Sequence, residues 1–262
     1  QGLEWIEDPS NQSNSFDRNF LRNEIVPGMV NRWPGMGRAI ARSASHCAEA
    51  SQTIETMAKM DLARVQRGDE ETINIPALRE LPGHRAKGVL RQWISDRNFR
   101  LPNTARLERV LTEVVTAAED RQPVVAWDGA EIRRYRDNLY LMPPQPEVPE
   151  AYRLGWDGSS NLDLPFGIGH LVLREAAWGL SKTLLVQGGL EIRFNIQGVS
   201  CRPAGRSGTR TLKKIFQEYA VPNWLRSQTP LIYQGEDLVA VAGLCVCHDF
   251  ATELGLEPVI TR

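Results

Sequence analysis

The sequence lacks most of what would tie it to a membrane, a disulfide scaffold or a nucleotide. Its longest unbroken apolar run, Leu238 to Cys247, is about half the length a membrane helix needs. No charged-then-apolar leader opens the chain, so a cytosolic protein with no membrane partner is expected. The cysteines, Cys47, Cys201, Cys245 and Cys247, form no regular secreted-type framework and are read as reduced thiols. Cys245-x-Cys247-His248 has no second ligand pair and sits in an apolar strand, so buried thiols are the better reading and no metal is expected. His46, His84 and His170 have no cysteine or carboxylate cluster at ligand spacing, and the serines show no nucleophile elbow. Neither G-x-x-x-x-G-K-S/T nor G-x-G-x-x-G occurs, since Gly167-Ile168-Gly169 meets Val172 where the third glycine would stand. Bulk positive charge is missing too. With 31 Lys and Arg against 32 Asp and Glu the formal net charge is -1, so binding to a polyanion depends on how the cations are distributed.

What is present is a globular composition, 42% hydrophobic and 24% charged, over 262 residues, enough for roughly two domains. The chain opens on Gln1 and is read as a piece of a longer protein. Residues 1–27 are polar and Asn-rich, with a turn at Asp8-Pro9-Ser10-Asn11, an N-cap at Asp17 for a short helix, and Pro27-Gly28 as its stop. Apolar residues at helical spacing from Met36 to Val65 predict one long amphipathic helix, its alanines suited to close packing. A brief extended segment at 72–78 and helices over 78–99 and 104–118 follow. Two strands, 124–127 and 130–141, are joined at Asp128-Gly129. Pro143, Pro144, Pro146 and Pro149 then predict a stiff connector. The terminal stretch reads as a strand over 191–197, a helix over 212–219, and a hairpin of 230–233 with 238–246. The expectation is therefore α+β, in four parts: a junction at 1–27, a mainly helical module at 28–142 ending in a hairpin, a Pro-rich connector and irregular segment at 143–189, and a small α+β module at 190–262.

The informative electrostatic feature is local. Arg193, Arg202, Arg206, Arg210, Lys213, Lys214 and Arg226 fall in one stretch with the single acid Glu218. Several flank Gly205 and Gly208, a loop leading into a helix start, where backbone N–H groups favour a phosphate. A second basic stretch runs from Arg85 to Arg109, and Arg133, Arg134 and Arg136 lie near the hairpin. Exposed helices also carry Lys and Arg for solubility alone, and pattern does not separate the two readings. Trp93 and Trp224 have basic neighbours, but a tryptophan at such positions belongs to a core more often than to a stacking surface. In the opening segment Arg18 and Arg22 are four apart on a helix and can share a face, either clamping phosphate or pairing with Asp8 or Asp17.

Trp5-Ile6-Glu7-Asp8-Pro9-Ser10-Asn11, then Arg18-Asn19-x-x-Arg22 and Ile25-Val26-Pro27, resembles the junction that follows the ATP-binding domain of tRNA(Ile)-lysidine synthetases. The terminal stretch resembles that family's C-terminal domain through Leu212-Lys213-Lys214-Ile215-Phe216, Val221-Pro222-x-Trp224-x-Arg226, Pro230-Leu231-Ile232-Tyr233 and Val241-Ala242-Gly243. Arg133-Arg134-Tyr135-Arg136 and Leu139-Tyr140-Leu141 fit its middle region more loosely. The resemblance implies an ATP-dependent carbon-nitrogen ligase that adenylates the wobble cytidine of an isoleucine tRNA with a CAU anticodon, after which the lysine side-chain amine displaces AMP. It also implies that ATP and Mg are held by an N-terminal domain with an S-G-G-x-D-S loop. That loop is absent here, so these residues are expected to be inactive alone and to bind no cofactor. By the same resemblance the catalytic residues stay unknown, Arg18, Asn19 and Arg22 lie near the junction, and tRNA contacts are expected from Arg133, Arg134, Arg202, Arg206, Arg210, Lys213, Lys214 and Arg226. The expected partners are the isoleucine tRNA, with lysine and ATP for the parent enzyme, and a homodimer is left open. The rival readings are a general RNA-binding module and a protein-interaction module without ligase function.

Overall fold

A computed structural model of the chain describes residues 10, 13–66, 71–118, 121–149, 151–159, 161–194 and 198–261. The chain divides into two units, 1–103 and 104–262. The first is helical. Helix α1 (Asp17–Phe20) passes through a wide π turn at Leu21–Ile25 into α2 (Val26–Arg32). Two expectations change here. Phe16 takes the N-cap position, with Asp17 as an acid in the first turn. Pro27 does not stop the helix, because at the start of α2 its missing N–H needs no partner. Helix α3 (Met36–Val65) matches the expected amphipathic helix, yet buries only Ala58, Asp61, Leu62 and Val65 near its end. Strand β1 (Thr72–Asn74) leads into α4 (Ile75–Arg79), where the Asn74 side chain caps the helix by accepting from the Ala77 N–H at 3.1 Å. This splits the expected 78–99 helix. Its main part is α5 (Gly83–Asp96), which buries Ala86, Val89, Leu90, Trp93 and Ile94, the i, i+3, i+4, i+7, i+8 stripe of a core-facing helix. Small side chains let α3 and α5 approach, since a Cβ at Gly88 would stand 3.7 Å from that of Ala58. Beside this contact the buried Asp61 carboxylate accepts a two-pronged bond from Arg85, at 2.8 and 2.5 Å.

The second unit begins with α6 (Thr104–Arg109), which runs into another π turn at Val110–Val114. Strands β2 (Val124–Trp127), β3 (Ala130–Tyr135) and β4 (Asn138–Met142) form an antiparallel meander. Gly129, at φ +76°, makes the expected first turn. A second turn at Arg136, φ +52°, divides what sequence reads as one strand.

The stretch expected to be irregular instead carries regular strands and a short helix. It contains β5 (Arg153–Trp156), β6 (Asn161–Leu164), the long β7 (Gly169–Leu180) and α7 (Lys182–Gln187). Glycine, serine and asparagine between these elements hide the alternation, which only cross-strand partners make worthwhile. There follow β8 (Leu190–Arg193), β9 (Ser200–Cys201), β10 (Arg210–Thr211), α8 (Leu212–Glu218), α9 (Asn223–Arg226), β11 (Leu231–Gln234), β12 (Asp237–Val241), β13 (Cys245–Val246) and β14 (Ala251–Thr261). The part of the expected 191–197 strand beyond Phe194 lies outside the described residues until Gly198.

Five strands form one antiparallel sheet in the order β13-β12-β11-β8-β5, and three form a second in the order β14-β7-β6. The five-stranded sheet is buried on both faces. Ile192, Ile232, Val239 and Val246 join a core with Leu171, Leu180 and Leu164 of the three-stranded sheet. Leu231, Tyr233, Leu238 and Val241 join a second core with Ile215 and Phe216 of α8. Double burial explains the near-continuous apolar run at 238–247, which is a central strand and its return rather than anything membranous. No helix is long and apolar enough to cross a membrane among the described residues.

The reduced-thiol expectation fails at two positions. Cys201 and Cys247 form a disulfide, with Cα atoms 5.7 Å apart, where the Pro203–Cys247 bridge brings the chains together. Cys245 is free and buried, and burial pushes its thiol up to about 11.

Candidate nucleic-acid interface

The loop between β9 and β10 carries the densest group of predicted contacts. It turns on Gly205 and Gly208, at φ +71° and +83°, conformations that side chains with a Cβ rarely adopt. Arg202 is exposed at its start, and its carbonyl accepts from the His248 N–H at 2.7 Å. Arg206 donates from Nη1 to Glu218 Oε2 at 3.1 Å, and its guanidinium lies 5.3 Å from the Tyr219 ring centre. Arg210 Nε lies 3.1 Å from the other Glu218 oxygen, yet this solvent-shielded N–H is off-axis and makes no hydrogen bond. Glu218 therefore sits between two arginines and satisfies neither guanidinium fully. Lys213 and Lys214 are exposed on α8, with no ion partner among the described residues. At the start of α8, which has 7 residues, the Thr211 side chain caps the helix by accepting from the Lys214 N–H at 3.4 Å.

Other predicted cations are engaged within the fold. Arg193 is buried, held by Glu191 at 2.5 Å, the Gly235 carbonyl at 2.7 Å and Glu236 at 3.2 Å, and lies over the Tyr233 ring. These arginine contacts hold the carboxyls of Glu191 and Glu236 below the usual range. Arg134, expected to contact tRNA, is engaged within the fold. Its guanidinium donates to the carbonyls of Val115 at 3.1 Å, Ala117 at 2.6 Å and Arg136 at 2.9 Å, and only 8% of the side chain is exposed. It stabilises the end of the α6 π turn, where helix carbonyls have no partner of their own. Arg133 is paired with Glu131 at 2.7 Å and lies 5.7 Å from Trp224. Arg226 is half-buried, donating to the Val221 carbonyl at 3.0 Å. Trp93 and Trp224 are core residues, as read from sequence. In the helical unit, Arg85 is tied to Asp61 and Arg109, at the start of the second unit, to Glu113 at 2.7 Å.

Near the chain start Arg18 lies in α1 and Arg22 in the following π turn, both exposed. Asn19 has a structural role, donating to the carbonyls of Ser10 at 2.8 Å and Ser13 at 2.9 Å. Asp8, the other suggested partner of these arginines, and most of the Trp5–Asn11 signature lie outside the described residues. Among the described residues no three His, Cys, Asp or Glu side chains are placed to hold a metal ion. Sequence reasoning missed Trp178, a half-exposed tryptophan of β7 that borders the Gly205 turn. An alternation reading of β7 would have placed it on a strand.

The fold class is α+β, with cations displayed on the β9–β10 loop and α8, and comparisons with known proteins say which family it falls in. The profile of the TilS substrate binding domain matches residues 73–140, that of the TilS substrate C-terminal domain matches 190–259, and that of the PP-loop domain matches 1–29. A tRNA(Ile)-lysidine synthase of Coxiella burnetii is 39% identical over 248 residues, covering 95% of this chain and 55% of the relative. Those of Photobacterium profundum and Methylococcus capsulatus are 37% and 36% identical, covering 96% and 93% of this chain and 57% and 56% of the relatives. The chain thus spans about half the length of the curated relatives it matches. A solved crystal structure of a TILS C-terminal domain aligns at 18% identity with a TM-score of 0.30, covering 44% of this chain and 95% of that one. The chain belongs to the tRNA(Ile)-lysidine synthase family.

Proposed function

We propose that these residues are the tRNA-holding part of an ATP-dependent ligase that joins lysine to the wobble cytidine of an isoleucine tRNA with a CAU anticodon. The observation that carries the reading is the terminal patch on which Arg202, Lys213 and Lys214 face solvent while neighbouring arginines are engaged internally. A set of cations displayed this way suits the phosphate backbone of a folded RNA, which is recognised by shape and charge more than by groove readout. In this reading the domain arrangement runs from a junction at 1–27, through 28–142 and the connecting 143–189, to the tRNA-binding 190–262. Arg18 and Arg22 lie near the junction with the catalytic part. In this reading ATP and Mg belong to that part, as the family resemblance implies, and no chemical step is derived through either. The setting is the cytoplasm, and a homodimer is compatible with the reading.

The test is binding of the 262-residue chain to isoleucine tRNA with a CAU anticodon, beside initiator and elongator methionine tRNAs, across a salt series. Preference for the isoleucine tRNA supports a discriminating tRNA-holding part. Equal binding to all three favours a general RNA-binding module, and salt-independent or absent binding favours a protein-interaction module.

A further inference from the structure

Between Arg193 and Arg226 the chain places seven cations and a single acid, Glu218. That acid stands where its own helix gives it no support. Glu218 is the last residue of α8, and the carbonyl end of a helix disfavours negative charge. Lys214 precedes it by four residues, in the order that makes the weaker intrahelical pair, and the two form no ion pair among the described residues. The carboxylate reaches instead for the β9–β10 loop and β10, where Arg206 Nη1 donates to Oε2 at 3.1 Å and Arg210 Nε stands 3.1 Å from Oε1. Tyr219, the next residue along, adds its ring beneath the Arg206 guanidinium at 5.3 Å.

The trio is incompletely satisfied. Arg206 makes no other hydrogen bond among the described residues, although a guanidinium carries five N–H donors. Arg210 Nε is shielded from solvent and has no hydrogen-bond partner, a state that folded chains ordinarily avoid. Two guanidinium charges also share one carboxylate, so one positive charge stays uncompensated. The side chains of Arg206, Glu218 and Arg210 are 48%, 29% and 30% exposed, and ion pairs this open to water add little to stability. Their effect falls on which cations the surface shows. Lys213 and Lys214 of the same helix and Arg202 at the loop start face solvent, while Arg206 and Arg210 are turned toward Glu218.

Resting on the tRNA-binding reading, we propose that Glu218 limits affinity on this surface by occupying Arg206 and Arg210 as an internal anion in place of RNA phosphates. Phosphate contacts carry no sequence information, and added affinity mostly slows release, so withholding two arginines favours discrimination and turnover.

Salt series of isoleucine tRNA binding test this as a double-mutant cycle, with the 262-residue chain carrying Glu218→Gln, Arg206→Ala/Arg210→Ala, or all three substitutions. Glutamine keeps the size of the side chain and an acceptor for Arg206 while removing the charge. Glu218→Gln should tighten binding by roughly 3- to 30-fold at low salt and steepen the slope of log affinity against log salt by roughly 1.4 to 1.8, one contact for each freed arginine. Removing both arginines should cancel that gain in the Glu218→Gln background, yet flatten the slope by less than about 0.7 where Glu218 is present. Unchanged or weaker binding by a Glu218→Gln chain with a preserved unfolding midpoint overturns the proposal. So does a gain that survives loss of both arginines, which reports only the removal of a negative charge. Should Glu218→Gln lower the unfolding midpoint, the arginine pair decides in the native background, where a flattening of about 1.4 or more places both arginines on the RNA already and overturns the proposal. If the unsubstituted chain binds no tRNA, the tRNA-binding reading falls and takes the proposal with it.

Discussion

The helical arm at 16–57 and the sandwich at 153–261 use their apolar residues in opposite ways. Phe16, Phe20, Trp33, Ile40 and Ile54 are all more than 40% exposed, and neither α1 nor α2 buries a single residue. In the sandwich Ile192, Phe194, Ile232 and Val239 are fully buried between two layers. Helices satisfy their backbone hydrogen bonds internally, so an arm can keep its shape without a core. Strands cannot, and a sheet buried on both faces concentrates stability in a few side chains.

The contrast is sharpest in its energetic consequences. Ile232→Ala should destabilise the chain by about 2–5 kcal/mol in denaturant unfolding, whereas Ile54→Ala should cost less than about 0.5 kcal/mol. Comparable costs at both positions would break the comparison. Arg134→Ala, which strips three carbonyls of their donor, should cost about 1–3 kcal/mol without changing the salt dependence of RNA binding. A loss of RNA affinity without a loss of stability would return this arginine to the interface. Asp61→Asn should cost about 1 kcal/mol in the helical unit, discounted because the Arg85 side chain is 36% exposed.

A further expected effect concerns pH. Burial disfavours the Cys245 thiolate, so the folded thiol ionises only at about 11, above its ordinary value of 9.0. The unfolded chain ionises first, and the resulting stability is complete below 9.0 and lost as pH rises toward about 11. Cys245→Ala should flatten this decline relative to the unsubstituted chain, and an identical decline in both would remove Cys245 as its source.

The same contrast decides what could be read from sequence. Helix α3 was legible to its ends because its period is a local property. The strands β5 to β7 were not, since their pairing with β8 and β14 comes from distant residues. The basic stretch from Arg193 to Arg226 was visible as composition, but not how its members divide. That Arg193 turns inward to Glu191 and Glu236, or that Glu218 lies between Arg206 and Arg210, depends on neighbours that only the fold supplies.

The central claim is that the outward-facing cations of the terminal region, and not the engaged arginines, hold the RNA backbone. Its most direct test is the slope of log affinity against log salt for isoleucine tRNA, measured for the chain and for the double variant Lys213→Ala/Lys214→Ala. If each lysine meets one phosphate, the slope should become shallower by roughly 1.4 to 1.8, with weaker binding at low salt. An unchanged slope and affinity would contradict the account.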